Sequence, residues 1–179
     1  MNMEALGRLD PSALSDLEKT PMALVLDNVR SGLNVGSAFR TADAFAVGKI
    51  YLCGITATPP HREILKTALG ATDTVAWEYH ESAVTGLASL KALGYRIWAV
   101  EQAAGSTPLQ TFSPEPGARY ALVFGNEVNG VSEDVMEMVE GAIEIPQFGT
   151  KHSLNIAVSV GIVVWDVFSK MRFGYTSEI

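Results

Sequence analysis

Cysteine and long apolar runs are both scarce in this chain of 179 residues. The one cysteine, Cys53, cannot form an internal disulfide, and a metal site built of cysteines is excluded. We therefore expect a buried thiol in a cytoplasmic protein. The longest mostly apolar run, 156–165, is interrupted by Ser159 and Gly161 and falls short of the roughly 20 residues that a membrane helix needs. The N-terminal residues also lack the basic and then apolar order of a secretory signal.

Positive charge is scarce as well. The chain holds 13 Lys and Arg against 20 Asp and Glu, which gives a formal net charge of -7 and a pI near 4.9. A protein that binds nucleic acid broadly usually carries an excess of Lys and Arg, so an RNA partner would have to meet a local basic patch. The composition, 47% hydrophobic and 18% charged, is that of one globular domain with a sizeable core.

Several common cofactor and catalytic motifs are missing. No Gly-x-Gly-x-x-Gly follows a strand, which argues against an ordinary dinucleotide site. Neither Gly-x-Ser-x-Gly nor His-Glu-x-x-His occurs, which removes the commonest hydrolases and zinc peptidases. The run 125–132 has the glycine spacing of a P-loop, but Val131 stands where the phosphate-binding lysine would be. We expect His61, His80 and His152 on the surface or in loops rather than as metal ligands.

Strand-like apolar runs alternate with helical stripes along the chain, which predicts an α/β domain. Its sheet is expected to be mainly parallel and covered by helices on both faces. Strands are predicted at 22–26, 49–53, 74–77, 95–100, 119–124 and 143–145. Helices are predicted at 35–47, 61–69 and 82–93, from 132, and from about 154. We divide the chain into an N-terminal helical extension at 1–20, with a short helix over 10–20, and one domain at 21–179. The segment 105–117 is predicted to be a loop.

The last predicted helix is apolar on every side, and a helix of that kind is normally buried all round. One stripe is Leu154, Val158, Gly161, Ile162 and Trp165, and the opposite stripe is Ile156, Val160, Val163 and Val167. One side could pack on the sheet and the other on a second subunit, with Gly161 allowing close backbone approach. The alternative is a plain core helix.

Ligands of an open parallel sheet bind at the carboxyl ends of its strands. Four loops satisfy that rule, at 27–34, 101–105, 125–130 and 146–155, and each is rich in glycine or in short polar residues. We expect the functional site where these loops meet.

Three runs within or beside these loops share a family pattern. They are LDNVRSGLNVGSAFRTAD at 26–43, VFGNEVNGVS at 123–132 and IPQFGTKHSLNIAV at 145–158. In this order and spacing they closely resemble the three motifs of the SpoU/TrmH branch of the SPOUT RNA methyltransferases. The resemblance covers residues 21–170, nearly the whole chain.

The resemblance implies a fold, a cofactor and a reaction. Family members thread their C-terminal part into a deep trefoil knot, bind S-adenosylmethionine there, act as homodimers and methylate a ribose 2'-hydroxyl of tRNA or rRNA; we slightly favour tRNA. By position, the resemblance assigns catalytic roles to Asn34, Arg40, Glu127, Ser153 and Asn155. It assigns cofactor binding to Val100, Phe124, Gly125, Ile145, Ser153 and Leu154.

Arg40 and Glu127 each have a plainer interpretation. Arg40 lies away from the apolar stripe of its helix, where it could form a surface ion pair with Asp43, worth little in stability. The functional hypothesis is that Arg40 grips a phosphate and lowers the pKa of the 2'-hydroxyl, because a guanidinium is too basic to take the proton itself. Glu127 could orient Asn34 or Arg40, or be a solvated loop carboxylate.

Two rival functions remain open at this point. One is a non-catalytic knotted dimer that binds S-adenosylmethionine or RNA without turnover, and the other is methylation of a base nitrogen. Family members often carry additional RNA-binding segments, so an accessory protein could supply basic surface here. The cationic groups expected nearest the site are Arg30, Arg40, Arg62, Lys151 and His152.

Overall fold

A computed structural model describes residues 18–150 and 153–174 of the chain. Over these residues the strands are β1 Thr20–Asp27, β2 Val47–Cys53, β3 Trp77–His80, β4 Tyr95–Val100, β5 Thr107–Pro108, β6 Arg119–Phe124 and β7 Gly141–Glu144. The helices are α1 Gly32–Ala44, α2 Arg62–Ala68, α3 Ala71–Thr74, α4 Ala83–Ala92, α5 Glu133–Met136 and α6 Ile156–Phe173. A 3-10 turn covers Leu109–Thr111.

The strands form one sheet in the order β3-β2-β1-β6-β4-β7-β5, and each neighbouring pair is parallel. In the central strand β1, every residue from Met22 to Asp27 is buried. Side chains alternate between the two faces of a strand, so Leu24 and Val25 belong to different core clusters. The predicted parallel sheet is confirmed.

Helices cover both faces of this sheet, as predicted. One core cluster joins Leu24 to Val35 of α1, Ile64 of α2 and Val163 of α6. The other cluster includes residues of α4 and α5 with alternate residues of the strands. Within the described ranges, no helix has the length and hydropathy to cross a membrane. The parallel sheet is therefore buried between two helical layers, which explains its nearly continuous apolar strands.

Helix α6 is only half covered. Its Val160, Val163 and Val167 are fully buried on the sheet side. On the other side Leu154, just before the helix, and Val158, Ile162 and Trp165 within it are 38–51% exposed. A Cβ placed on Gly161 would meet no atom within 4 Å. The predicted stripe that begins at Leu154 therefore exists as a partly exposed apolar face, which we call the α6 stripe: Leu154, Val158, Ile162 and Trp165.

Local capping explains where the site-bearing helices begin. The Ser31 side chain accepts a hydrogen bond from Asn34 N at 3.3 Å, which caps α1. Helix α1 therefore starts at Gly32, and Asn34 lies in its first turn rather than in the predicted loop 27–34. The Asn155 side chain accepts from Ala157 N at 2.8 Å and caps α6, which begins at Ile156 rather than at about 154. Gly174, with φ 67°, ends that helix.

The strand predicted at 74–77 is wrong. Residues Ala71–Thr74 form the short helix α3, and strand β3 follows at Trp77–His80. The β-branched pair Thr74 and Val75 favours a strand locally, but the Thr74 hydroxyl donates to Asp43 Oδ1 at 2.6 Å, and Val75 is buried in the core. Tertiary contacts with α1 thus override the local propensity.

Other boundaries differ from the sequence expectation by smaller amounts. Strand β7 runs from Gly141 to Glu144 rather than over 143–145. The predicted loop 105–117 contains β5 and the 3-10 turn. Of the helix predicted over 10–20, residues 18–19 have no regular structure and Thr20 begins β1; the remainder lies outside the described residues. Cys53 is a free, fully buried thiol, as predicted, and burial raises its pKa to about 12.

Candidate active site

A cavity of about 570 Å³ lies at the carboxyl ends of β4, β6 and β7, beside the start of α6. We call it the strand-end cavity. The residues for which the sequence predicts cofactor binding all line it: Val100, Phe124, Gly125, Ile145, Ser153 and Leu154. Four separate stretches of the chain thus contribute to one concave surface, at the place where parallel sheets bind ligands. Its size is that of a typical small-molecule site.

One wall of the cavity is a tight turn from Asn126 to Gly130. The two residues exchange backbone hydrogen bonds of 3.1 and 3.0 Å. The Asn126 side chain accepts from the amides of Val128 and Asn129 at 2.9 and 2.8 Å. The Asn126 side chain therefore stabilises the turn.

Gly125, just before this turn, and Gly130, its last residue, both lie too close to other atoms to carry a side chain. A Cβ on Gly125 would lie 2.0 Å from the Gly130 carbonyl carbon. A Cβ on Gly130, whose φ is 67°, would lie 2.2 Å from Oε2 of Glu101. That carboxylate accepts from Val131 N and, through Oε1, from Gln102 N, both at 3.0 Å. Glu101 therefore ties the end of β4 to the turn after β6.

Glu101 and Asp27 are site residues that the sequence did not single out. Asp27, 2% exposed, accepts from Ser132 N at 3.3 Å and from Asn28 Nδ2 at 2.8 Å, which holds the end of β1 against the start of α5. Each is at the carboxyl end of a strand, within the loops predicted to form the site. That position is the signal that could have identified them.

Three of the predicted catalytic residues form a hydrogen-bonded row. Asn34 Nδ2 donates to Glu127 Oε1 at 2.7 Å, and Asn155 Nδ2 donates to Asn34 Oδ1 at 3.3 Å. Glu127 and Asn155 also line the strand-end cavity. We call Glu127, Asn34 and Asn155 the polar row; it joins one residue from each sequence motif.

Arg40 does not line the strand-end cavity. It is exposed on α1 and opens on a second cavity of about 440 Å³ between α1 and α2, here called the α1–α2 cleft. The surface ion pair with Asp43 is not formed, since Asp43 accepts from Thr74 instead. Within the described residues Arg40 has no ion pair or hydrogen bond. The ion pair of the plainer interpretation is therefore absent, which leaves this exposed guanidinium accessible to a ligand.

The other predicted cations are dispersed. Arg30 and Arg62 are exposed outside the cavity lining, whereas Lys151 and His152 lie outside the described residues. Within the part of the chain that the structure describes, no group of three or more His, Cys, Asp or Glu could hold a metal ion.

These features define a class: a parallel α/β domain with its ligand site at the carboxyl ends of the strands, built of glycine-rich turns and a polar row. Residues 21–165 match the SpoU rRNA Methylase family. The chain belongs to this family, which confirms the membership predicted from the three motifs.

The chain is similar to several known proteins. It is 30% identical over 151 residues to the 23S rRNA (guanosine-2'-O-)-methyltransferase RlmB of Neisseria meningitidis, covering 84% of this chain and 59% of that protein. It is 30% identical over 156 residues to the tRNA (guanosine(18)-2'-O)-methyltransferase of Aquifex aeolicus, covering 84% and 71%. An AdoMet-bound rRNA methyltransferase from Sinorhizobium meliloti superposes with a TM-score of 0.78 at 26% identity, covering 88% and 59%. The chain thus spans less than two thirds of the length of its rRNA-modifying relative.

Proposed function

We propose that this protein transfers a methyl group from S-adenosylmethionine to a ribose 2'-hydroxyl of RNA. The observation that carries the proposal is the polar row, in which Asn34, Glu127 and Asn155 meet beside the strand-end cavity. Membership in the SpoU rRNA Methylase family and relatives named as 2'-O-methyltransferases of rRNA and tRNA support it. The RNA is tRNA or rRNA, with a slight preference for tRNA.

The strand-end cavity has groups suited to S-adenosylmethionine, which supplies an electrophilic methyl on a sulfonium. Gly125 and the bridged turn expose backbone donors and acceptors where no side chain blocks a flat adenine. Val100, Phe124, Ile145 and Leu154 supply apolar contacts and further backbone groups around the cavity. The AdoMet-bound relative from Sinorhizobium meliloti supports this assignment. Ser153, exposed just before α6, is placed to hold a polar part of the cofactor or substrate.

Methyl transfer to a hydroxyl also requires loss of its proton. Arg40 is a poor base because a guanidinium is always protonated. Its role is to bind the adjacent phosphate and lower the pKa of the 2'-hydroxyl, with the proton passing to a phosphate oxygen or to water. The polar row fixes the Asn34 amide, which can orient the ribose. Fixed orientation by itself can supply several kcal/mol of the barrier.

We propose that the working form is a homodimer built on the α6 stripe. The stripe runs from Leu154, at the strand-end cavity, to Trp165, whose ring lies 5.6 Å from that of Phe45 in the α1–α2 cleft. Two copies packed by antiparallel α6 helices would place the cleft of one chain beside the cavity of the other. Arg40 would then complete its partner's site, which explains its absence from the cavity of its own chain.

We further propose that the C-terminal part is threaded through a trefoil knot. Strand β7 lies between β4 and β5, although both precede it in sequence. The loops 125–130 and 146–155, on either side of β7 in the chain, line the same cavity. These relations are those that a threaded C-terminus would produce.

The proposed reaction is tested on tRNA and rRNA from cells that lack the protein. Purified protein and labelled S-adenosylmethionine should yield RNA in which one phosphodiester resists alkali, because only ribose methylation blocks that cleavage. Label at an alkali-sensitive position would instead indicate base methylation. Binding of S-adenosylmethionine without any label transfer would indicate the non-catalytic dimer. Arg40→Ala should lower turnover by about 10²–10³-fold with unchanged cofactor affinity.

A further inference from the structure

The α1–α2 cleft is a second concave surface, and the proposed reaction involves only one of its residues, Arg40. On the α1 side, Ser37, Arg40, Thr41 and Ala44 follow the i, i+3, i+4, i+7 spacing of one helical face, and Phe45 follows at the C-cap. On the α2 side are two consecutive residues. The lining residues are Ser37, Arg40, Thr41, Ala44, Phe45, Lys66 and Thr67. The only charged side chains among them are the cations Arg40 and Lys66, so the cleft is positive in an acidic protein.

Both cations are uncompensated. Within residues 18–150 and 153–174, neither Arg40 nor Lys66 has an ion pair or a hydrogen bond. Among the other described cations, Lys49 pairs with Glu78 and Lys170 lies 2.6 Å from Asp166. Arg30, Arg62 and Lys91 have no ion pair within the same residues, so it is the shared concave surface that distinguishes Arg40 and Lys66. Two unpaired cations on one concave surface repel each other, and an anion between them would remove that cost.

Two of the three hydroxyl groups in the cleft are already hydrogen-bonded, whereas Thr41 has no hydrogen bond from its hydroxyl within the described residues and can donate beside the two cations. Ser37 Oγ donates to the Leu33 carbonyl at 2.9 Å, and Thr67 Oγ1 lies 3.0 Å from the same oxygen. Their protons are therefore occupied by the helix backbone. Phe45 adds an apolar wall next to the charged groups. A ligand that matches is an anion attached to an apolar or flat unit, which describes a nucleotide of a nucleic acid better than a free inorganic ion.

The charge along the chain agrees with that ligand. Residues 28–74, which include α1, α2 and β2, hold five of the 13 Lys and Arg but only three of the 20 Asp and Glu. Without Lys49, whose charge Glu78 balances, four Lys and Arg face three Asp and Glu, a small positive excess in a chain with a formal charge of -7. Repulsion from the acidic remainder would direct a polyanion to this surface.

We propose that the α1–α2 cleft binds a phosphodiester of the RNA substrate, with Lys66 as a second phosphate-binding residue beside Arg40. This inference rests on the proposed function. Arg40 contacts the phosphate next to the reacting ribose, and Lys66 contacts the same phosphate or its neighbour, which fixes the register of the RNA. Lys66 touches RNA but no reacting atom, so it contributes to binding rather than to the chemical step.

A purely structural role for Lys66 makes different predictions. Lys66 lies in the last turn of α2, where a cation is stabilised by the helix dipole. Loss of that interaction would lower thermal stability and leave RNA binding unchanged. A phosphate contact would instead appear in the salt dependence of binding, because each neutralised phosphate releases counterions.

The experiment compares Lys66→Ala and Lys66→Arg with a matched control, Lys91→Ala, in the full chain. Lys91 is an exposed lysine in the last turn of α4, which packs on the other face of the sheet. The probe is unfractionated tRNA and rRNA from cells that lack the protein. Affinity is measured from 50 to 200 mM salt. We expect Lys66→Ala to reduce the slope of log K against log salt by about one, raise KM for RNA and leave kcat and cofactor affinity nearly unchanged. Lys66→Arg and Lys91→Ala should keep the wild-type slope.

The outcomes separate the two proposals. A wild-type slope and KM in Lys66→Ala, in a protein that methylates RNA, would overturn the phosphate site and leave the reaction intact. A reduced slope for Lys66→Ala, found when the wild-type protein transfers no methyl group, would keep the site and reject the reaction. A lower melting temperature in Lys66→Ala with unchanged RNA binding would assign Lys66 to helix stability and also overturn the inference.

Discussion

Asn34 Nδ2 donates a hydrogen bond to Glu127 Oε1 at 2.7 Å across a separation of 93 residues. The carboxylate makes this a charge-assisted contact. It joins the first turn of α1 to the turn after β6, so the geometry of one motif depends on the other. Asn155 extends the contact to the start of α6.

The two residues should therefore act as one unit. We expect Asn34→Ala and Glu127→Ala each to lower kcat/KM, and the double variant to lose less than the sum of the single losses. The coupling should be about 1–3 kcal/mol. Asn34→Ala combined with Glu137→Ala, an exposed carboxylate of the following segment, is the additive control. Additive losses in the Asn34 and Glu127 pair would mean that the contact has no part in turnover.

Gly125 should be intolerant of even one added methyl group. A Cβ there would lie 2.0 Å from the Gly130 carbonyl carbon, so Gly125→Ala must displace the bridged turn. We expect affinity for S-adenosylmethionine, measured by calorimetry, to fall at least about tenfold, which is ~1.4 kcal/mol. The control is Gly149→Ala, where a Cβ meets no atom within 4 Å. Equal affinity in Gly125→Ala would show that the turn does not hold the cofactor.

The α6 stripe should control the oligomeric state. Ile162 lies within the stripe and is 38% exposed. Ile162→Arg would place a charge there, and burying that charge in an apolar interface would carry a large free-energy penalty. Wild-type protein should sediment at twice the 19.2 kDa chain mass and the variant at one chain mass. Val84→Arg changes an exposed apolar residue of α4, 36% exposed, and should remain a dimer. A dimeric Ile162→Arg would place the interface elsewhere.

Two inactive variants should restore activity when their subunits are exchanged. If Arg40 serves the partner's cavity, a heterodimer of Arg40→Ala and Asn34→Ala chains has one site with both residues intact. Statistical mixing of a two-fold dimer should then recover about a quarter of wild-type activity. Each variant remixed with itself is the control. If mass spectrometry shows heterodimers in the mixture but no activity is recovered, Arg40 acts in the site of its own chain.

Acid should weaken a cluster formed by Lys49 of β2 with Glu78 and His80 of the edge strand β3. Burial opposes ionisation of Glu78, but hydrogen bonds from Lys49 and His80 outweigh it and lower the pKa of Glu78. The unfolded chain then binds the proton more tightly than the folded one, so stability rises with pH through this window. The stabilisation is complete above the unfolded pKa of about 4.3 and is lost as pH falls through the lower, folded value.

Urea unfolding of wild type and Glu78→Gln from pH 3 to 7 measures this contribution. The stability difference between them should be constant at neutral pH and should shrink below about pH 4.3. Glu81→Gln, an exposed neighbour just after β3, provides the control and should follow wild type across the range. A difference that persists unchanged at pH 3 would contradict the assigned pKa direction.

The sequence predicted the features that depend on local pattern. Apolar runs located most of the buried strands, the apolar stripes located α6 to within two residues of its start, and three ordered motifs identified the family. Features that depend on distant contacts were missed. The β-branched residues at 74–75 favoured a strand. In the structure Thr74 ends the short helix α3, and its hydroxyl donates to Asp43 of α1.

The same distinction applies to the site. The position of Glu101 after a strand could have indicated that it belongs to the site, but no local feature indicates its hydrogen bond with Val131 N, 30 residues away. For Arg40 the helical periodicity correctly indicated an outward direction, but only the folded chain places it on a different cavity from Glu127 and Asn155.

The position of β7 has a consequence for synthesis. This strand is the last to leave the ribosome, yet it lies between β4 and β5. Until residues 141–144 emerge, β4 has a bare edge and β5 has no strand to pair with. A nascent chain interrupted before that point would present an open template for pairing with other chains, so premature termination here should yield aggregates rather than a smaller folded protein.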